Sequence, residues 1–190
     1  MSGSKRAGMT AAAAIDELAR TRARLIAAFE PFDEARFHER PGPRLWSAAD
    51  VAEHLVRVET RIVTGARRTV ELRKGATPGP WDALLKWPMR LGLVDGIRVR
   101  TVKGADPVDD DKVAGFTRER LLARLADTRG ATVAFLHETR DQDFSGLWMK
   151  HPFFGCFGVR EFIAWGGWHE ARHIRQLGRI ANALGLRRAR

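Results

Sequence analysis

A chain of 190 residues with 44% hydrophobic and 29% charged side chains is long enough to bury one sizeable core, and its composition is neither disordered nor membranous. The net charge of +10 raises nucleic acid as a partner, but the basic residues are spread along nearly every segment. With no recognition helix, zinc-finger spacing or aromatic sheet motif, specific nucleic-acid binding is not expected. No apolar run is long enough to span a bilayer and the N-terminus has no secretory apolar stretch. The single cysteine, Cys156, excludes an internal disulfide and fits a cytoplasmic location.

In chain order, residues 1–8 read as a flexible start to a single domain covering 1–190. Thr10 caps a first predicted helix to about Phe29, ended by Pro31, with Ala14, Ile15, Leu18, Leu25, Ala28 and Phe29 on its apolar face. Residues 31–45, with three prolines, read as an irregular connection. Ser47 opens a second helix, with Asp50 in its first turn, running to about Lys74. Its inward face carries Val51, His54 or Leu55, Val58 and Ile62, followed by Gly65. From Gly75 to Gly115 lies a long, partly helical excursion: a short helix over Trp81–Leu93 broken at Pro88, then an acidic loop over Gly104–Asp111. A length of this kind suits a lid or an edge cover. Thr117 caps a third long helix to about Glu138, with Leu121, Leu122, Leu125, Val133 and Leu136 as its stripe. Residues 139–158 read as irregular. The fourth helix runs from Val159 to Leu186, with Gly166 and Gly167 suited to close approach of a neighbour. Strand signals are scarce, so the fold class is all-α, a four-helix bundle.

The fourth helix carries the chemistry. His169 and His173 are four residues apart and share one face with Phe162, Trp165, Leu177, Ile180 and Leu184, while Arg172, Arg175 and Arg179 face water. Two titratable rings in an apolar row point to a holder, and a metal ion is the usual one. His54, in register with Val51 and Val58 on the second helix, supplies a third imidazole. Bundles build metal sites from facing helices, so His54, His169 and His173 form a candidate three-histidine site. Three imidazoles suit one divalent metal, zinc or nickel foremost, and three protein ligands leave a coordination position open. His38, His137 and His151 are read as non-ligands, with His151 kept as a rim residue. Trp46, Trp165 and Trp168 are assigned to core, and Cys156 to a small apolar side chain.

The run His169-Glu170-Ala171-Arg172-His173 spells the H-E-x-x-H of zinc proteases, with Glu170 as base. Residues 174–190 contain no His, Asp or Glu to supply the third ligand such a protease takes downstream, and the extended motif fails at Gln176 and Arg179. The protease reading is rejected. Glu170 is expected on a solvated helix face or paired with an arginine.

Two stretches resemble the DinB-like (DNA-damage-inducible) family. One is Pro41-Gly42-Pro43 followed by W-S-A-A-D-V-A-E-H-L, Trp46 to Leu55. The other is W-H-E-A-R-H-I-R-Q-L, Trp168 to Leu177. The resemblance implies a four-helix bundle with a divalent metal on His54, His169 and His173, a homodimer in many relatives, and no DNA binding despite the family name. Characterised relatives include thiol-cofactor transferases and a mycothiol-dependent isomerase, in which the metal activates a low-molecular-weight thiol for attack on an electrophile. The long, basic segment after Pro78 departs from the common pattern.

The leading expectation is a metal-dependent S-transferase or detoxification enzyme whose site activates a low-molecular-weight thiol against a small-molecule substrate. Two other readings stand beside it: a hydrolase using metal-bound hydroxide, and a non-enzymatic metal-stabilised binding or stress-response module. No catalytic acid or base and no cofactor-binding residue beyond the three histidines is assigned.

Overall fold

The computed structural model describes residues 9–85 and 115–186. The four expected long helices are present: α1 (Ala11–Phe29), α3 (Ala48–Glu71), α5 (Arg118–Glu138) and α6 (Val159–Ala183). The connection after α1 contains a five-residue helix, α2 (Glu34–His38), capped by Asp33. Of the expected helix from Trp81 the described part is one turn, α4 (Asp82–Leu85). The rest of the 75–115 excursion up to residue 114, and with it the acidic loop, lies outside the described residues, as do residues 1–8 and 187–190. No described helix is long and apolar enough to cross a membrane.

Three of the four long helices begin where the capping residues predict; α6 follows Gly158, which has no side chain to cap it. Thr10 accepts from Ala13 N–H and Thr117 from Arg120 N–H, at 3.1 and 3.2 Å. The cap of α3 is stronger. Ser47 Oγ accepts from Asp50 N–H at 3.1 Å while the Asp50 carboxylate accepts from Ser47 N–H at 2.8 Å, a reciprocal capping box. Arg40 Nε sits 3.1 Å from the same carboxylate. This buried cap sets the start of the helix that carries His54.

Helix α1 packs on α6 and α5, and α3 packs on α5 and α6. The consecutive helices α1 and α3 therefore stand diagonally across the bundle, and α6 lies beside α3. Gly167 permits the tight α1–α6 contact: a Cβ there would lie 3.1 Å from the Glu17 carbonyl oxygen, so the glycine lets two backbones approach.

One element was not expected. Within the irregular reading of 139–158 lies an antiparallel hairpin, β1 (Trp148–His151) and β2 (Gly155–Gly158), with Trp148 opposite Gly158 and His151 opposite Gly155. Gly155 closes its three-residue turn at φ 76°, a conformation glycine adopts without cost. Short strands rich in Trp, Phe and Met carry little alternation, and here they are held by the bundle: Phe154 and Phe157 join the apolar cluster of Leu18, Ile62, Phe135 and Phe162. A second cluster, around Leu25, Phe29, Val51, Leu121 and Leu177, fills the other part of the bundle.

Replacing Ser47 by Ala removes one half of the α3 cap. Chemical denaturation of this variant is expected to show a loss of about 1 kcal/mol with unchanged denaturant dependence; unaltered stability would show that the cap contributes nothing.

Candidate metal centre

Between the two apolar clusters runs a layer of buried polar side chains, one or two from each long helix. Glu170 on α6 is 2% exposed, Glu59 on α3 9% and Arg129 on α5 8%. Arg129 donates to Glu59 Oε1 at 2.7 Å and to Glu170 Oε1 at 2.9 Å. Arg22 of α1 lies 2.9 Å from Glu59 and 2.7 Å from Glu170. Thr21 donates to Glu170 Oε2 at 2.6 Å and Thr132 to Glu59 Oε1 at 2.9 Å. Two guanidiniums thus balance two carboxylates. Burial pushes the Glu170 carboxyl above its ordinary range, against the pull of Arg129, Arg22 and the Thr21 hydroxyl. Glu170 is an arginine partner as expected, but it is not solvated. Its donors occupy both oxygens and turn it away from the histidines, which removes it as a base for them.

One residue is about 100° of rotation on a helix. Tying Glu170 to α1 and α5 therefore turns His169 and His173 toward α3, where His54 meets them. His54 Nε2 lies 3.3 Å from His169 Nε2, and His173 Nε2 lies 3.2 Å from the same atom. The three ligand atoms all fall within 4.8 Å of one another, and among the described residues they form the sole group of this kind. Four-coordinate zinc with Zn–N bonds of about 2.0–2.1 Å sets neighbouring nitrogens roughly 3.3–3.4 Å apart. The observed spacings match that edge. His173 donates its outer Nδ1–H to Gln176 Oε1 at 2.9 Å, which leaves the Nε2 lone pair facing the cluster.

The surroundings of His169 and His173 favour the neutral ring, the state a metal requires. His169 is held well below its ordinary pKa, first by burial and then by His173 and His54; His173 is lowered by burial and by His54, with the Gln176 hydrogen bond opposing. Aromatic rings frame the cluster. Trp165 stacks on His169 with centroids 4.9 Å apart, and Trp46 lies parallel to His173 at 6.1 Å and 4.9 Å from His54.

The family model of the DinB superfamily matches residues 17–177, a span that includes all three histidines. The chain belongs to the DinB superfamily. The uncharacterized protein YuaE of Bacillus subtilis (strain 168) is 24% identical over 151 residues, covering 80% of this chain and 86% of YuaE. Two solved structures share the fold. TT2238, a four-helix bundle protein, aligns with a TM-score of 0.55 at 22% identity, over 90% of this chain and 99% of its own. YfiT from Bacillus subtilis, described as a probable metal-dependent hydrolase with an unusual four-helix bundle topology, aligns with a TM-score of 0.56 at 17% identity, over 98% and 94%.

The structure brings together the three histidines singled out in the sequence and leaves His38 and His137 away from them; His137 is exposed. The tryptophans assigned to core do more than fill space, since Trp46 and Trp165 contact the imidazoles directly. For Trp165 the signal was present, four residues before His169 on the same face. For Trp46, which precedes the α3 cap, no periodicity applies. His151 is buried beside Trp165 at a centroid distance of 4.7 Å, not on a rim. A surface cleft of about 520 Å³ lined by Glu53, Arg57, Phe116 and Arg124 opens elsewhere, and none of the three histidines lines it.

Substituting Arg129 by Met leaves two buried carboxylates facing one guanidinium. Urea denaturation is expected to report a loss of about 3–5 kcal/mol, whereas a change below about 1 kcal/mol would show that the polar layer does not anchor the helices.

Proposed function

We propose that this DinB-superfamily protein is a metal-dependent enzyme that binds one divalent ion on His54, His169 and His173 and transfers a low-molecular-weight thiol to an electrophilic small molecule. The observation that carries the metal is the match between the Nε2 spacings of 3.2 and 3.3 Å and the edge of a tetrahedral site. The three-ligand count supports catalysis over a purely structural role, because structural zinc sites take four protein ligands.

When bound, the metal supplies Lewis acidity that lowers the pKa of a thiol in its open position. The protein's own groups do the rest. Gln176 fixes the tautomer and orientation of His173, and Trp165 and Trp46 brace the imidazoles against rotation. The aromatic wall excludes water and favours the apolar body of an electrophile. In the transfer the thiol proton passes to solvent, the sulfur forms a bond to the electrophilic carbon, and the leaving group departs with the bonding pair. A thiol needs no protein base once its pKa is lowered, which accords with Glu170 being committed to Arg129, Arg22 and Thr21. A second reading, hydrolysis, draws support from the shared fold with YfiT.

Elemental analysis of the purified protein is expected to give about one divalent metal per chain, lost in His54→Ala and in His169→Ala. Metal at 100-fold over its Kd should stabilise the wild type by about 2.7 kcal/mol and neither variant. Wild-type protein that takes up no metal after anaerobic reconstitution would sink the proposal. In the cobalt-substituted protein, added cysteine or glutathione should produce a thiolate-to-cobalt charge-transfer band; metal uptake with no such band, together with ester hydrolysis, would transfer the assignment to the hydrolase reading.

A further inference from the structure

A fourth imidazole lies next to the cluster without belonging to it. His151 ends strand β1 and is 8% exposed. Its ring is enclosed by Phe154 and Trp165, each at a centroid distance of 4.7 Å, and by Phe162 at 5.9 Å. Its Nδ1 accepts two backbone N–H groups of the hairpin turn, from Phe153 at 3.1 Å and Phe154 at 3.3 Å. Two donors aimed at one nitrogen leave no place for a proton on it. The neutral ring therefore carries its hydrogen on Nε2, and the hairpin turn fixes that tautomer. Burial agrees with this, pushing the His151 pKa down to about 4.

Nε2–H makes no hydrogen bond among the described residues. The residue is buried, yet Nε2 is not among the fully enclosed side-chain atoms that lack a partner, so the donor is left open to a ligand; the rings around it are weak acceptors at best. Its position gives the donor a use. The indole of Trp165 contacts both His151 and His169, and a charge on His151 would be felt at His169. His151 nevertheless falls outside the set of ligand atoms within 4.8 Å of one another.

We propose that His151 is a substrate-binding residue: its fixed Nε2–H donates to a carboxylate or carbonyl oxygen of the substrate seated against Trp165 beside the three histidines. The assignment rests on the metal-site reading above and narrows the substrate class to molecules that present an acceptor oxygen to the aromatic wall. A donor held in place before the ligand arrives needs no reorganisation to bind it. A site built around such a donor discriminates against analogues that lack the acceptor.

The test uses the full chain loaded with zinc and acetate as the probe. His151→Asn is the informative variant, because an Asn oxygen can still accept from the turn N–H groups while the distal donor is lost. Zinc affinity is expected to agree within about twofold between wild type and variant, and acetate affinity to fall about tenfold or more in the variant, the scale of one charge-assisted hydrogen bond. Independently of any variant, the ¹⁵N spectrum of the wild-type imidazoles should show His151 protonated at Nε2 alone. That signal should move as acetate saturates the zinc-loaded protein. Equal acetate affinity in a folded variant, a signal that does not move, or a proton on Nδ1 overturns the role of His151 while leaving the metal site standing. A tenfold loss of zinc affinity in the variant also overturns it, by making His151 a ligand. Wild type that takes up no zinc overturns the metal reading and this role with it.

Discussion

The bundle depends on the ion-paired layer of Arg22, Glu59, Arg129 and Glu170 at its middle. Burying four charges is expensive, and the cost is offset only because every carboxylate oxygen in the layer accepts from a guanidinium or a threonine hydroxyl. Apolar contacts alone would tolerate a range of helix rotations, since one aliphatic side chain can replace another against a neighbour. A carboxylate held by two arginines from two other helices tolerates very little. Glu170 so held leaves α6 one rotational setting, and in that setting His169 and His173 face α3.

The histidine cluster is prepared by its neighbours. The capping box at Ser47 and Asp50 starts α3 two turns before His54. Gln176 orients His173, Trp46 and Trp165 brace the rings, and the hairpin brings His151 against Trp165. Each of these contacts limits the motion of a ligand or of a ring beside it, which keeps the His54 and His173 nitrogens each about one tetrahedral edge from His169. The placement of α3 next to α6, with α1 diagonal to α3, is the topological condition for the cluster. A simple up-and-down bundle with each helix beside its predecessor would set the second and fourth helices across a diagonal.

The positive charge acts on this site only from a distance, Arg172 and Arg179 helping to hold the histidine pKa values down. Several arginines inside the bundle are spent on carboxylates or on carbonyl oxygens: Arg22 on Leu125, Arg129 on Leu18, and Arg160 on Thr139. Arg57 and Arg124 share Glu53. A formal sum over the sequence counts these residues as a basic surface, although part of that charge is structural.

The sequence by itself determined the four long helices, the capped starts of the first three and the identity of the three clustered histidines. Those features are local: a cap needs residues three apart, and an i, i+4 pair on an apolar face needs only helical periodicity. The resemblance of Trp46–Leu55 and Trp168–Leu177 to a known family was legible for the same reason. Tertiary structure decided what local spacing does not encode. For Glu170 the sequence left a solvated face and an arginine partner both open, because the partners that bury it come from α1 and α5. The strands of 148–158 were hidden because aromatic residues pack in them on both sides, erasing the alternation that marks a half-buried strand. His151 stood apart in the sequence, and only the hairpin turn gave it a fixed tautomer and a place beside Trp165. Periodicity chose which residues face inward; the pairing of charges across helices chose what they meet there.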